Sequence, residues 1–224
     1  MPRLHVLRVF CGEDGAHGNP LGVFLEGGEV PPGARQAVAH RLGYSETVFV
    51  DDPVRGKIAI FTPAAEIEFA GHPAVGTCWL LASERAPVDV LRPPAGEVPA
   101  RAEPEGAFVA GRPDWGPPFE FAQLGSPEAV DALDGPPGGH DLISAWAWAD
   151  EEGGVVRVRV FVDRFGIPED EATGLAALKL AARLERPIEI HQGRGSRINA
   201  RPAEGGMVEI GGRVVLDGVR EDPA

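Results

Sequence analysis

Cysteine, tyrosine and methionine are scarce in this 224-residue chain, which holds two Cys, two Met and one Tyr. Cys11 and Cys78 are too few and too far apart in sequence for a disulfide framework or a zinc site. Both read as small apolar residues in a reducing compartment. No apolar run approaches the roughly 20 residues that cross a bilayer. The most apolar stretch, Phe69 to Ala82, is broken by Gly71, His72, Pro73, Gly76 and Thr77. The first residues lack the apolar core of a leader peptide, which points to the cytoplasm. Positive charge is short as well: 21 Lys and Arg stand against 34 Asp and Glu, a net charge of -13. Binding to nucleic-acid phosphates or anionic membranes rests on clustered Lys and Arg, so neither partner is expected. His5, His17, His40, His140 and His191 show no metal-ligand spacing, and no metal site is expected. What remains is ordinary for a globular chain, 43% hydrophobic and 25% charged, long enough to bury about 70% of its unfolded surface.

The chain also repeats itself, at an offset of about 100 residues. Lys57-Ile58-Ala59-Ile60-Phe61 and Val156-Arg157-Val158-Arg159-Val160-Phe161 both alternate with the period of a strand. Each follows another apolar run, Thr47 to Val50 or Ile143 to Ala149, across an acidic turn, so each pair reads as a β-hairpin. Helices follow in both halves, at Pro73 to Leu81 and Glu171 to Leu184. His72 aligns with Asp170 just before them. Pro87-Val88-Asp89-Val90 then matches Pro187-Ile188-Glu189-Ile190. Surface helices are predicted over Ala34 to Leu42 and Ser126 to Leu133, the latter with Ser126 as N-cap and Pro127 at the first helical position. The helix at Pro73 is apolar on nearly every side and therefore buried. The pattern predicts an α+β fold of two pseudo-symmetric halves, 1–104 and 105–224, each a curled, barrel-like sheet around a central helix. The Pro/Gly/Glu-rich stretch from Pro93 to Gly106 is the expected join.

Chemistry-bearing residues gather near the helix starts. Helix N-termini carry free N–H groups and partial positive charge, so two of them facing one cleft would bind an anion, with His72 and Asp170 at its mouth. Taken singly, Asp170 reads equally as an N-cap and His72 as a turn residue. Glu46 precedes the apolar run Val48 to Val50, where burial would raise its pKa and fit it to carry protons. Asn19, before Pro20, either binds a substrate carboxylate or amine or simply makes a turn. Arg194 and Arg197, in a glycine loop after Gln192, clamp an acid or decorate a hairpin tip.

Gly18-Asn19-Pro20, Ser45-Glu46-Thr47, Gly71-His72-Pro73 with Gly76, and Glu169-Asp170-Glu171-Ala172-Thr173-Gly174 together resemble the PhzF-like family of phenazine biosynthesis, of the diaminopimelate-epimerase-like fold. The resemblance runs in order over most of the chain. It implies a cofactor-independent isomerase acting by proton transfer on a small carboxylic or amino acid, and a homodimer. It places the acid/base group on Glu46, with His72 and Asp170 beside it as catalytic residues. Asn19, Gly71, Gly174 and Leu175 fall at substrate-binding positions. Leu175 departs from the serine common in the family. That departure supports a competing reading, a small-acid-binding protein of the same fold without turnover. The opposed cysteine pair of the epimerases has no match here.

Overall fold

The computed structural model describes residues 1–222. The chain opens with β1 (Arg3–Cys11), β2 (Asn19–Phe24), α1 (Pro32–Leu42), β3 (Glu46–Asp52), β4 (Lys57–Phe61), β5 (Glu66–Ile67), α2 (Gly71–Glu84), β6 (Val90–Leu91) and β7 (Val98–Glu103). The same order then recurs as β8 (Gly106–Gly111), β9 (Glu120–Gln123), α3 (Pro127–Asp131), β10 (Ile143–Asp150), β11 (Val155–Val162), β12 (Ile167–Asp170), α4 (Gly174–Leu184), β13 (Ile188–Gln192) and β14 (Ser196–Pro202). One more strand follows, β15 (Val208–Glu221). Pairing recurs with order. β2 lies parallel to β3 as β9 does to β10, and β3–β4–β5 is antiparallel like β10–β11–β12.

Both predicted hairpins form, because their alternation sends every second side chain into the core. α2 is buried on nearly all sides, as its composition requires, and packs against β1, β7, β8 and β15. α4 buries Ala176, Ala177, Leu178, Leu180 and Ala181, while Lys179 on its flank donates to the Pro113 carbonyl at 2.5 Å. Ser126 caps α3 by accepting from the Ala129 N–H, and Pro127 opens it.

Two expectations are corrected. The stretch from Pro93 to Gly106 is not a loose join: Val98–Glu103 is β7, which turns tightly into β8 and pairs with it from Ala100↔Val109 to Glu103↔Gly106. Its alternation, with Ala100 and Ala102 packed toward the core, is masked by Pro99 before them and Glu103 after. The alignment of His72 with Asp170 also fails. Val160 pairs with Asp170 as Ile60 pairs with Ile67, so the counterpart of Asp170 is Ile67. Gly71 and Gly174 meet across the halves, which makes Leu175 the counterpart of His72.

The final strand belongs to both halves. Val208–Arg213 pairs with β8, and its first residues also pair with β14. Val214–Glu221 pairs with β1.

Candidate active site

Asn19, Glu46, His72 and Asp170 come together from four elements. Gly18, at φ +86, bends the chain into β2; a Cβ there would lie 2.8 Å from Cys11 Sγ and 2.9 Å from the Val9 carbonyl. That turn delivers Asn19, which is buried. Glu46 opens β3 beside Leu21 of β2. His72 sits in the first turn of α2, and Asp170 ends β12.

Glu46 Oε2 and His72 Nε2 face each other at 3.3 Å. They are not aligned as a hydrogen bond, and each is buried with no hydrogen-bond partner. Leaving a buried polar atom unsatisfied costs about 1–3 kcal/mol, so two in contact mark a place kept for something other than stability. Burial raises the Glu46 carboxyl to about 7, opposed by a hydrogen bond from Ser45. Burial lowers the His72 imidazole to about 4, against the pull of Asp170 and of a Pro20 backbone hydrogen bond. The ring is therefore neutral at pH 7. Nε2 of the neutral ring faces the Glu46 carboxyl with no hydrogen-bond partner of its own. Asp170 is raised to about 6, chiefly by burial, while His72, Thr173 and Asn19 favour its anion and Glu46 opposes it.

Asn19 is already spoken for. Its amide donates to Asp170 Oδ1 at 2.8 Å and to the Ala172 carbonyl at 2.9 Å, bridging the halves. Both donors are used, so the expected donation to a substrate is not available in this arrangement. Asp170 is not a helix cap: the cap position of α4 is Thr173, whose hydroxyl donates to Asp170 Oδ2 at 2.7 Å instead of capping. Neither α2 nor α4 has a side-chain cap, so their first N–H groups remain open to an anion. The two helix starts touch. A Cβ on Gly71 would stand 2.9 Å from Gly174 Cα, with Ile210 beneath both. Leu175, half-buried, packs against Gly116, where a Cβ would meet its Cδ2 at 2.6 Å. Arg194 pairs with Glu171 and Arg197 with Glu189, so each arginine already holds a carboxylate of the protein.

Sequence reasoning missed Gln192 as a member of this network. Ile188, Ile190 and Gln192 share the buried face of β13, so a polar residue at that position was the available signal. A surface cleft of about 510 Å³, lined by Arg101, Phe108, Glu189, Asn199, Arg201 and Glu209, includes none of the site groups. Its arginines pair with Glu103 and Glu209, and the chemistry lies at Glu46 instead.

Comparison with known proteins gives the same direction. A family model, phenazine biosynthesis-like protein, matches residues 8–110. The trans-2,3-dihydro-3-hydroxyanthranilate isomerase of Pseudomonas aeruginosa is 32% identical, over 92% of this chain and 91% of its own. That of Pseudomonas fluorescens is 31% identical, over 79% and 80%. The chain belongs to the phenazine biosynthesis-like (PhzF) family. It is an isomerase of that family, in small-molecule metabolism. A phenazine biosynthesis PhzC/PhzF protein from Clostridium difficile superposes with a TM-score of 0.81 at 17% identity, covering all of both chains. A probable proline racemase from Agrobacterium radiobacter does so with a TM-score of 0.65 at 12% identity, over 99% of this chain and 93% of its own. These two show the α+β fold shared with the racemases. Among the described residues, no helix is long and apolar enough to cross a membrane.

Proposed function

We propose that this PhzF-family isomerase moves a carbon-bound proton of a small carboxylic or amino acid, with Glu46 as the acid/base group. The observation that carries the reading is the buried, partnerless Glu46 Oε2 facing the equally partnerless His72 Nε2 at 3.3 Å. A carboxyl raised to about 7 is half ionised at neutral pH, matched to both taking and returning a proton. The open N–H groups of α2 and α4 hold the substrate carboxylate, and Gly71 and Gly174 let those two helix ends approach it together. Neutral His72 hydrogen-bonds the reacting group, and anionic Asp170 balances charge that builds on the ring. The chemistry these side chains perform is proton transfer and draws on no cofactor.

The site is one-sided. Pairing places Leu142 opposite Glu46 in the other half, because Val48↔Ile60 matches Ser144↔Val160. A single acid/base group favours shifting a proton between atoms on one face over inversion between two bases.

The test is deuterium uptake in D2O, starting from trans-2,3-dihydro-3-hydroxyanthranilate and a panel of amino and hydroxy acids. Solvent deuterium is expected at carbon, and Glu46→Gln is expected to keep binding while losing about 10²–10⁴-fold in exchange. Undiminished exchange in that variant overturns the role of Glu46. Binding without exchange by any compound favours the small-acid-binding reading and points to Leu175.

A further inference from the structure

Gln192 lies outside every candidate set above, yet it is buried at 1% exposure with its whole amide engaged. Its Oε1 accepts from the Thr173 backbone N–H at 3.1 Å. Its Nε2 donates to the Asp170 backbone carbonyl at 2.9 Å and to Thr173 Oγ1 at 2.9 Å. A backbone N–H can only donate and a carbonyl can only accept, so two independent contacts fix which end of the amide is oxygen. The third contact then has one polarity: Thr173 Oγ1 accepts from Gln192. A hydroxyl carries one proton, and here it goes to Asp170 Oδ2 at 2.7 Å. The other carboxylate oxygen is settled by the same logic. Asn19 donates to the Ala172 carbonyl, so the same nitrogen donates to Asp170 Oδ1.

We propose that Gln192 is a positioning residue that sets the polarity of the hydrogen bonds on Asp170, so that Asp170 stands beside His72 as an anion ready to stabilise a charged ring. It acts through Thr173 and touches no reacting atom. The inference rests on Asp170 belonging to the site, but its test does not need turnover.

The groups around Asp170 leave this wiring as the adjustable part. His72 of α2 and Glu46 of β3 lie near enough for their charges to act on it. On its own strand, Glu169 is paired with Arg159 of β11 at 2.7 Å. The next residue, Glu171, is held by the Arg194 N–H and the Ser196 hydroxyl. Burial disfavours the anion, so the donors on Oδ1 and Oδ2 decide how far it survives.

The experiment is a carbon-13 NMR titration of protein labelled at the aspartate carboxyl, with the Asp170 signal assigned by Asp170→Asn. Gln192→Met frees the Thr173 hydroxyl to turn away, and Thr173→Val removes it. Each is expected to raise the Asp170 midpoint by about one pH unit, the scale of a lost hydrogen bond to a charged group. Gln192→Glu requires a donor where the wild type supplies one and adds negative charge, so it is expected to raise the midpoint further. Thr173→Ser keeps the hydroxyl and is expected to restore the wild-type titration. Gln192→Met added to Thr173→Val is expected to add little, since both act on one bond. An unchanged Asp170 midpoint in folded Gln192→Met or Thr173→Val overturns the proposal, as does full additivity of the two. If Gln192→Met does not fold, the contrast of Thr173→Val with Thr173→Ser decides alone. Loss of isomerase activity with a wild-type titration would count against the functional reading and not against the wiring.

Discussion

At the scale of the residue, Glu46 shows the site working against stability. Its carboxyl is raised from 4.5 to about 7 by burial. Between those values the folded protein keeps a proton that the unfolded chain releases, so stability falls as pH rises through the window, and the full penalty is present above about 7. Glu46→Gln removes it. The variant is expected to gain roughly 1–3 kcal/mol at pH 8 and almost nothing at pH 4.5, read as a Tm difference that opens with pH. A Tm difference independent of pH would show that Glu46 does not ionise in that window. His72 runs the other way: lowered from 6.5 to about 4, it makes stability rise with pH between those values. It stays neutral where Glu46 titrates. The proton-abstracting form of the enzyme therefore follows Glu46, and kcat/KM is expected to rise through about pH 7 and level off above it. A rise centred below pH 5 would assign the base elsewhere. Glu46 and His72 stood out in the sequence as polar residues where apolar runs begin, whereas Asp170 was singled out as a helix cap aligned with His72, and neither reason holds, since it ends β12 and pairs with Val160. The internal wiring was not legible. Nothing local says that Asn19 turns its amide to Asp170 or that Gln192 orients Thr173, since both depend on partners more than a hundred residues away or across a strand.

At the scale of the element, the two buried helices do more than fill space. Their starts touch at Gly71 and Gly174, and a side chain on either would meet the other's backbone near 3 Å. Gly71→Ala and Gly174→Ala are each expected to cost about 1–3 kcal/mol by forcing the helix ends apart, with activity falling further than stability because the paired N–H groups lose alignment. Gly33→Ala in α1, where nothing lies within 4 Å, serves as the control and is expected to leave Tm unchanged or slightly raised. Equal losses in all three would remove the special status of the helix contact. α4 was legible from its amphipathic period and α2 from its all-round apolar composition, but their starts were not. α2 begins at Gly71, ahead of Pro73, and α4 begins at Gly174, after Glu171. In the second case the Glu171 carboxylate is taken by the Arg194 N–H and Ser196, which hold that segment out of the helix.

For the whole molecule, the repeated order of elements was readable, because hairpin and helix periods are local. The closure was not, because β15 pairs with β1, β8 and β14, strands distant in sequence, and no pattern within it names those partners. Deleting residues 214–222 is expected to unfold the first half as well as the second. It leaves β1 with β2 as its one antiparallel neighbour, and Arg41 without Asp222. Near-UV circular dichroism and proteolysis would read this out. A truncated protein with native-like near-UV signal would mean that β1 holds its place through β2 alone.

The strand shared by both halves also dictates an order of events during synthesis. β1 leaves the ribosome long before Val214–Glu221, the strand that pairs with it. Until then the edge of β1 is bare, a template for pairing with whatever strand it meets. The first half is therefore expected to complete its sheet only after Val214–Glu221 has been made. A duplicated architecture is thus expected to fold as one cooperative body, its two halves closing together on the strand they share.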